Sequence, residues 1–207
     1  MNYYFTIIFL CFFGMNAQNI SKINKDLKLS DSLTYPTEIR MYKGGGITNY
    51  TSAFRMYKTK KEKWKAEFFE HFNEVTDQAE LKTTRKKLTA TDDMEFVYRN
   101  LLRSYILELP SSNKIQWKLE KRGKKRVELK VGDAKSRFVY ESATKRIAFL
   151  DGHIYTVQIQ SEIRKKSHTF SYDNPESYLK HFPEVDELIY INEILETVKN
   201  QFDIWKK

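Results

Sequence analysis

Histidine is the residue type in this chain best suited to metal binding or acid–base chemistry. The sequence contains four histidines, which are His71, His153, His168 and His181. No two of them have the spacing of a helical zinc pair, and no His-Glu-x-x-His motif occurs. We therefore expect no metal site and no cofactor. A hydrolase that uses His71 or His153 with nearby carboxylates stays open as an alternative, since only geometry reveals such a site.

Sequence motifs for nucleophilic catalysis and phosphate binding are missing. No Gly-x-Ser-x-Gly elbow is present, and the single cysteine, Cys11, lies in a segment that we expect to be removed. Gly44–Gly46 lead into Ile47 and Thr48 rather than into the Gly-Lys-Ser/Thr of a phosphate-binding loop. They predict a flexible hairpin connection instead. These observations favour a protein that is not an enzyme.

Three predicted strands carry aromatic and basic side chains on one face. Alternation places eight side chains opposite the apolar residues of the same strands: Arg40, Tyr42, Arg55, Tyr57, Lys65, Glu67, Phe69 and His71. If the strands pair in order, these side chains form one patch that is suited to binding sugars, anions or another protein. The alternative is the solvent-facing side of a sheet, where such residues form stabilising cross-strand pairs. Alternation also places Glu70 on the apolar side, which predicts a bulge or a buried carboxylate with a raised pKa.

Basic residues cluster at predicted turns. The clusters contain Lys60, Lys61, Arg85, Lys86, Lys87, Arg122, Lys124, Lys125, Arg164, Lys165 and Lys166. With 36 Lys and Arg against 27 Asp and Glu, the chain has a net charge of +9. Alternate turns of a meander lie at the same end of a sheet, so a basic rim there would attract anionic glycan, lipid or nucleic acid. The alternative is that lysine only keeps exposed turns soluble.

The start of the chain has the character of an export signal. Residues 1–17 carry no charged side chain, and Tyr3–Phe13 is a nearly unbroken apolar run that is too short to span a membrane. We expect cleavage after Ala17, so the mature chain contains no cysteine and no disulfide. Such a chain fits an exported bacterial protein, periplasmic or secreted, with no transmembrane segment after the signal.

Two segments have the apolar spacing of an amphipathic helix. Over 92–109 apolar residues recur on one face, Asp92 caps the first turn and Pro110 ends the helix. A second helix over 184–205 has acidic residues in its first turn, as the helix dipole favours. Residues 18–36 show no sustained period, and we expect a flexible lead there.

The rest of the sequence predicts strands. Short apolar or alternating runs predict roughly nine short antiparallel strands, besides a weaker one over 79–88. The other segments are 37–42, 50–57, 64–72, 115–119, 127–131, 137–140, 147–150, 155–159 and 169–172. Asp151–Gly152 favours the type I′ turn of a hairpin. Together with the helices these strands predict a single α+β domain over 37–207. We expect a curved antiparallel meander sheet packed against the helix at 92–109 and the C-terminal helix, or a meander that closes into a partial barrel.

These patterns lead to three functional hypotheses. The first is a non-enzymatic exported domain that binds a partner or ligand through the aromatic and basic sheet face. An envelope protein or an anionic surface polymer is the partner that such a face would meet. The second is polyanion binding at the basic turns. The third is the hydrolase with a histidine and carboxylate site.

Overall fold

The computed structural model describes the chain from residue 19, with short gaps. The described residues are 19–45, 48–75, 80–123, 127–131, 135–139, 144–149 and 152–206. The predicted signal peptide lies outside them, as do Lys124, Lys125 and Asp151 of the predicted turns.

The main feature of the fold is an open six-stranded antiparallel sheet. In chain order the strands are β1 (Thr37–Gly44), β2 (Tyr50–Lys58), β3 (Trp64–Phe72), β4 (Lys82–Leu88), β5 (Glu120–Arg122), β6 (Val127–Val131), β7 (Lys135–Val139), β8 (Thr144–Arg146), β9 (Ile154–Ser161) and β10 (Lys166–Asp173). The six-stranded sheet has the order β10–β9–β1–β2–β3–β4, while β5 pairs with β8 and β6 with β7. The predicted antiparallel meander is therefore confirmed, and this sheet does not close into a barrel.

All but the first of the described helices pack on one face of the sheet and build the main core with it. The helices of the described residues are α1 (Ile20–Asp26), α2 (Met94–Arg103), α3 (Pro175–His181) and α4 (Asp186–Phe202), and the 3-10 turns are Ser112–Lys114 and Gln116–Lys118. The core combines Ile39 and Phe54 of the sheet with Tyr98 of α2 and Leu195 of α4, all of them 0% exposed. The predicted α+β class, with a helix between the strands and another at the C-terminal end, is confirmed.

Helix α2 is shorter than the predicted range 92–109. Its N-cap is Asp93, whose carboxylate accepts the first free backbone N–H groups at 2.9 and 3.1 Å, so the predicted cap at Asp92 is wrong. After the helix, Tyr105 adopts a left-handed φ of 57°, which α-helical backbone excludes. Leu109 is nevertheless 2% exposed, because the turns that follow α2 bury the remaining apolar positions.

The predicted strands at 115–119 and 147–150 are wrong in the described residues. The first segment consists mainly of 3-10 turns, in which Ile115 and Leu119 are buried while Trp117 is 72% exposed. A short apolar run of this length does not distinguish a strand from helical turns, so the pattern fitted both structures. In the second segment, the residues up to 149 have no regular structure.

The segment 18–36, which we expected to be a flexible lead, contains helix α1, and its described residues pack against the sheet. Ile23 and Leu27 are 4% and 8% exposed and join Tyr42 and Phe69 in a second apolar cluster. Helix α1 has only seven residues, too few for a sustained apolar period to appear in the sequence. We call residues 19–36 the N-terminal strap.

Candidate functional site

The predicted aromatic and basic face exists in the structure, but it is covered. The register places Arg40 beside Arg55 and Arg55 beside Glu67, as pairing in order required. Seven of the eight predicted residues are buried, and only Lys65 is exposed. Contacts from the N-terminal strap reach this face from above, so in the structure it is not a free surface.

Glu38 is the centre of a buried network between this face and the strap. Its carboxylate is 0% exposed and accepts hydrogen bonds from Nε of Arg40 at 2.7 Å and Nε of Arg55 at 2.8 Å. The backbone N–H groups of Thr34 and Tyr35 donate to the same carboxylate at 2.7 and 2.9 Å. Burial alone would raise the pKa of Glu38, but the hydrogen bonds and charges of the two arginines outweigh it and lower the pKa.

Arg55 lies over two stacked tyrosine rings. Its guanidinium carbon is 5.3 Å from the ring centroid of Tyr35 and 4.4 Å from that of Tyr57, and the two centroids are 4.3 Å apart. Glu67 forms ion pairs with both Arg55 and Arg85. The arginines and Glu67 of this face thus have internal partners, which fits the alternative of stabilising cross-strand pairs.

His71 belongs to the same covered layer. Its Nε2 lies 2.8 Å from Oδ2 of Asp26 in α1, and the Tyr42 hydroxyl donates to Oδ1 of Asn24 at 2.6 Å. His71 is 0% exposed. A substrate therefore does not reach this histidine in the structure.

The opposite face of the sheet forms the floor of a cleft of about 1130 Å³, at the end where β1 finishes. Here the apolar face becomes polar. Lys43 pairs with Ser52, Ser52 with Glu70, and Glu70 with Thr84, so these four side chains form a row across β1 to β4. Lys86 lies next along β4 on the same face and also lines the cleft.

Glu70 lies where the apolar face of the sheet becomes polar. It lies on the side where alternation places it, and the register contains no bulge. Its carboxylate accepts a hydrogen bond from Oγ1 of Thr84 at 2.8 Å and one from the Tyr50 hydroxyl at 3.4 Å. Glu70 is half-buried and lines the cleft. The predicted bulge is thus wrong, and the carboxylate faces the cleft rather than the core.

Helices α3 and α4 and the turn after α4 form the other wall. The side chains that line it are Glu176, Ser177, Lys180, Lys199, Asp203, Ile204, Trp205 and Lys206. Helix α4 stops before the predicted end at 205, because Asp203 and Trp205 adopt left-handed φ angles of 52° and 56°. The turn brings the indole of Trp205 onto the sheet, where its Nε1 donates to Oγ of Ser52 at 2.8 Å.

Two glycines form a tight rim. Gly45 has a φ of 106°, and a Cβ there would lie 3.1 Å from the carbonyl oxygen of Gly152 and 3.2 Å from the backbone nitrogen of Ile154. A Cβ on Gly152 would lie 1.6 Å from Oδ1 of Asn174. Gly45 favours glycine because of its φ angle and its close approach to neighbouring backbone, whereas at Gly152 a Cβ would collide with the side chain of Asn174. Gly44 and Gly45 of the predicted flexible connection therefore border the cleft, while Gly46 is outside the described residues.

Lysines dominate the charge of the cleft. Its five lysines are Lys43, Lys86, Lys180, Lys199 and Lys206, and its three carboxylates are Glu70, Glu176 and Asp203. Nζ of Lys199 lies 2.6 Å from Glu176, and Nζ of Lys206 lies 2.5 Å from Asp203. Among the residues that the structure describes, Lys86 and Lys180 take part in no ion pair of 4 Å or less. The cleft therefore carries excess positive charge.

The charges of the cleft also shift its titrating groups. Burial would raise the pKa of Glu176, but the hydrogen bond and charge of Lys199 outweigh it and lower the pKa. Partial burial and the charge of Lys43 lower the pKa of His153. Burial raises the pKa of Tyr155, and the nearby carboxylate of Glu176 adds to the effect. At neutral pH Glu176 is thus an anion that positions Lys199, and His153 is uncharged.

The described residues of the predicted basic turns are spread over several parts of the fold. Lys60 and Lys61 lie between β2 and β3, and Arg164 and Lys165 between β9 and β10, at the sheet end opposite the cleft. Lys166 begins β10. The prediction of a turn at Arg85, Lys86 and Lys87 is wrong, because all three belong to strand β4. Arg122 is in β5, whereas Lys124 and Lys125 are outside the described residues.

Within the described residues, no group of three or more His, Cys, Asp or Glu side chains is arranged to hold a metal ion. No described helix has the length and apolar character needed to cross a membrane. Comparison with protein-family models, with the curated proteins and with the solved structures found no match to this chain.

Most cleft residues were not predicted as a site. The sequence patterns assign Lys86 to a basic turn and His153 to the hydrolase alternative. They place the predicted binding face on the other side of the sheet. One signal was present in the sequence, since Lys43, Ser52 and Glu70 all fall on the apolar side of their strands near the same turns. A polar end of an otherwise apolar face indicates an opening in the core.

Proposed function

We propose that this domain is a binding protein that holds an anionic ligand in the lysine-lined cleft. The observation that carries the proposal is the convergence of five lysines on one cleft. Lys43 and Lys86 come from the sheet, Lys180 and Lys199 from the helices, and Lys206 from the final turn. Positive charge concentrated between protein walls attracts anions and strengthens their binding.

The size and construction of the cleft favour a ligand with several charges. A volume of about 1130 Å³ lies slightly above the range of roughly 300–1,000 Å³ that is usual for small-molecule pockets. Glu176 holds Lys199 at 2.6 Å, so this ammonium group is positioned before a ligand arrives. The indole of Trp205 is fixed to Ser52 and gives one wall a defined shape.

Anion binding by the wild type and by a variant that lacks two cleft lysines tests the proposal. We expect tripolyphosphate and citrate to bind the protein in a calorimetric titration. The double variant Lys86→Gln/Lys180→Gln should bind them about tenfold or more weakly, because each lost ammonium removes a charge-assisted contact. The matched control is Lys60→Gln/Lys61→Gln, which changes the net charge equally at the other end of the sheet and should bind normally.

Two outcomes would contradict the proposal. If neither anion binds the wild-type protein, the cleft is not an anion site. If both double variants lose binding equally, attraction to the whole basic surface explains it, which would favour the second hypothesis of polyanion binding at the basic turns.

A hydrolase stays the second candidate because His153 lines the cleft. Release of nitrophenol from nitrophenyl phosphate by the wild type, and not by His153→Gln, would support that candidate instead.

We also propose that the domain is exported to the periplasm or secreted. The uncharged apolar segment at residues 1–17 is what supports this proposal. An envelope protein or an anionic surface polymer would then supply the anionic groups. Binding through the aromatic and basic sheet face stays a prediction, and it would require the N-terminal strap to leave that face.

A further inference from the structure

Strand β4 is an edge strand of the sheet and also contributes to the floor of the cleft. Within the described residues it pairs with β3 alone, and six of its seven residues are exposed. Thr84 and Lys86 of β4 line the cleft. In an antiparallel edge strand, alternate residues direct their backbone N–H and C=O groups away from the sheet. The cleft therefore opens beside a row of backbone groups that can pair with another strand.

The other edge strand of the sheet is covered by other residues of the chain. Strand β10 is contacted by the chain that follows α2: Nε2 of His168 lies 2.6 Å from the carbonyl oxygen of Leu109. The backbone N–H of Ser171 donates to Oγ of Ser111 at 3.2 Å. The described part of the chain thus covers β10 with its own residues and places no comparable cover on β4.

The charge of β4 restricts which strand can pair with it. Its sequence contains Lys82, Arg85, Lys86 and Lys87 and no acidic residue. Lysines on an edge strand prevent pairing with a similar basic strand, so a second copy of β4 is a poor partner. An acidic strand is complementary. Register with β3 places Lys82 and Lys86 on the cleft side and Arg85 and Lys87 on the other side.

We infer that the ligand of the cleft is an acidic, extended polypeptide segment that adds a strand beside β4. The inference rests on the proposed function, because the same lysines supply the charge. Alternate side chains of an added strand point to one face, and residues two apart are separated by about 6.6–6.8 Å. Acidic residues at every second position of the segment lie on the side of Lys86 and enter the cleft, while backbone hydrogen bonds hold the segment to the edge.

Two peptides of equal charge separate edge pairing from simple attraction. One is an alternating Thr-Glu peptide, and the other is an alternating Pro-Glu peptide of the same length. Proline lacks the N–H group and fixes φ, so the second peptide keeps the carboxylates but does not form a strand. We expect the full protein to bind the Thr-Glu peptide about tenfold or more tightly than the Pro-Glu peptide. Lys86→Gln/Lys180→Gln should weaken binding of the Thr-Glu peptide.

Amide hydrogen exchange gives a second readout at β4. Alternate backbone amides of Lys82–Leu88 should gain protection when the Thr-Glu peptide is added, and not when tripolyphosphate is added. Equal affinity for the two peptides, or a sulfated oligosaccharide that binds more tightly than the Thr-Glu peptide, would overturn the inference while the anion site stands. If neither the peptides nor tripolyphosphate bind, the proposed function itself fails.

Discussion

At the scale of single residues, the carboxylate of Glu38 joins two sheet arginines to the backbone of the N-terminal strap. Replacing it by Gln should lower the free energy of unfolding by about 3–5 kcal/mol, because two buried guanidinium groups lose their shared anion. Urea unfolding measures the loss. The matched control is Glu62→Gln, since the Glu62 side chain is 73% exposed in its ion pair with Lys58 and should cost less than about 1 kcal/mol.

The effect of Glu38 should depend on pH with a definite sign. Its pKa in the folded protein is lowered from the usual value of 4.5, so the folded state binds the proton less readily than the unfolded state. The stabilisation is therefore complete above pH about 4.5 and is lost as the pH falls through the lowered pKa. The difference between the wild type and Glu38→Gln should shrink in this acidic range. A difference that stays constant down to pH about 2 would mean that the charge of Glu38 is not what stabilises the network.

Sequence alternation correctly grouped Arg40, Arg55 and Glu67 on one face of the sheet. It gave no information on what lies above them, because burial of a face is decided by a distant part of the chain. In this protein the cover comes from a short helix with buried Ile23 and Leu27 and from loop carbonyl groups that accept hydrogen bonds from Arg40. Backbone acceptors leave no trace in residue type, so this part of the contact was beyond sequence reasoning.

At the scale of elements, the N-terminal strap behaves as part of the core. Deleting residues 19–36 from the mature chain should abolish cooperative unfolding or lower the melting temperature strongly, because Tyr42, Phe69 and the ion-pair network would face water. Calorimetry and tryptophan fluorescence measure this. Lys22→Ala/Lys25→Ala alters two exposed residues of α1 and should have little effect.

A different result for the deletion would be informative. A shortened chain that unfolds with the wild-type melting temperature would contradict the role of the strap in the core. It would also make the aromatic and basic face accessible and restore it as a candidate binding surface. The original prediction of a binding face and the observed burial therefore lead to opposite outcomes for the same deletion.

The elements also explain which part of the cleft was predictable. Strand alternation is local, so it assigned Glu70 to the apolar side correctly. The wall formed by Lys180, Lys199 and Trp205 depends on how α3 and α4 pack across the sheet, and the left-handed backbone after α4 carries no Gly or Asn that would have signalled it. Long-range packing of this kind has no pattern within a short window of sequence.

At the scale of the whole molecule, the proposed export can be measured directly. A fusion of the full chain to alkaline phosphatase, which is active only after export from the bacterial cytoplasm, should be active. A fusion that lacks residues 1–17 should be inactive, because the apolar segment that directs export is then missing. Equal activity of the two fusions, or none in either, would contradict export through this segment.

The position of β1 has a consequence for how the chain reaches its native state. Strand β1 pairs on one edge with β2, which follows it closely in the sequence. On its other edge it pairs with β9, which is synthesised much later, and Glu38 lies opposite Gln160 there. The first four strands can thus form a partial sheet whose apolar face stays uncovered until Phe170, Leu195 and the other late core residues arrive. Sheets that depend on such distant pairings fold slowly, on the order of milliseconds to seconds. We expect a half-formed sheet of this kind to be the species most exposed to aggregation and to proteases during that interval.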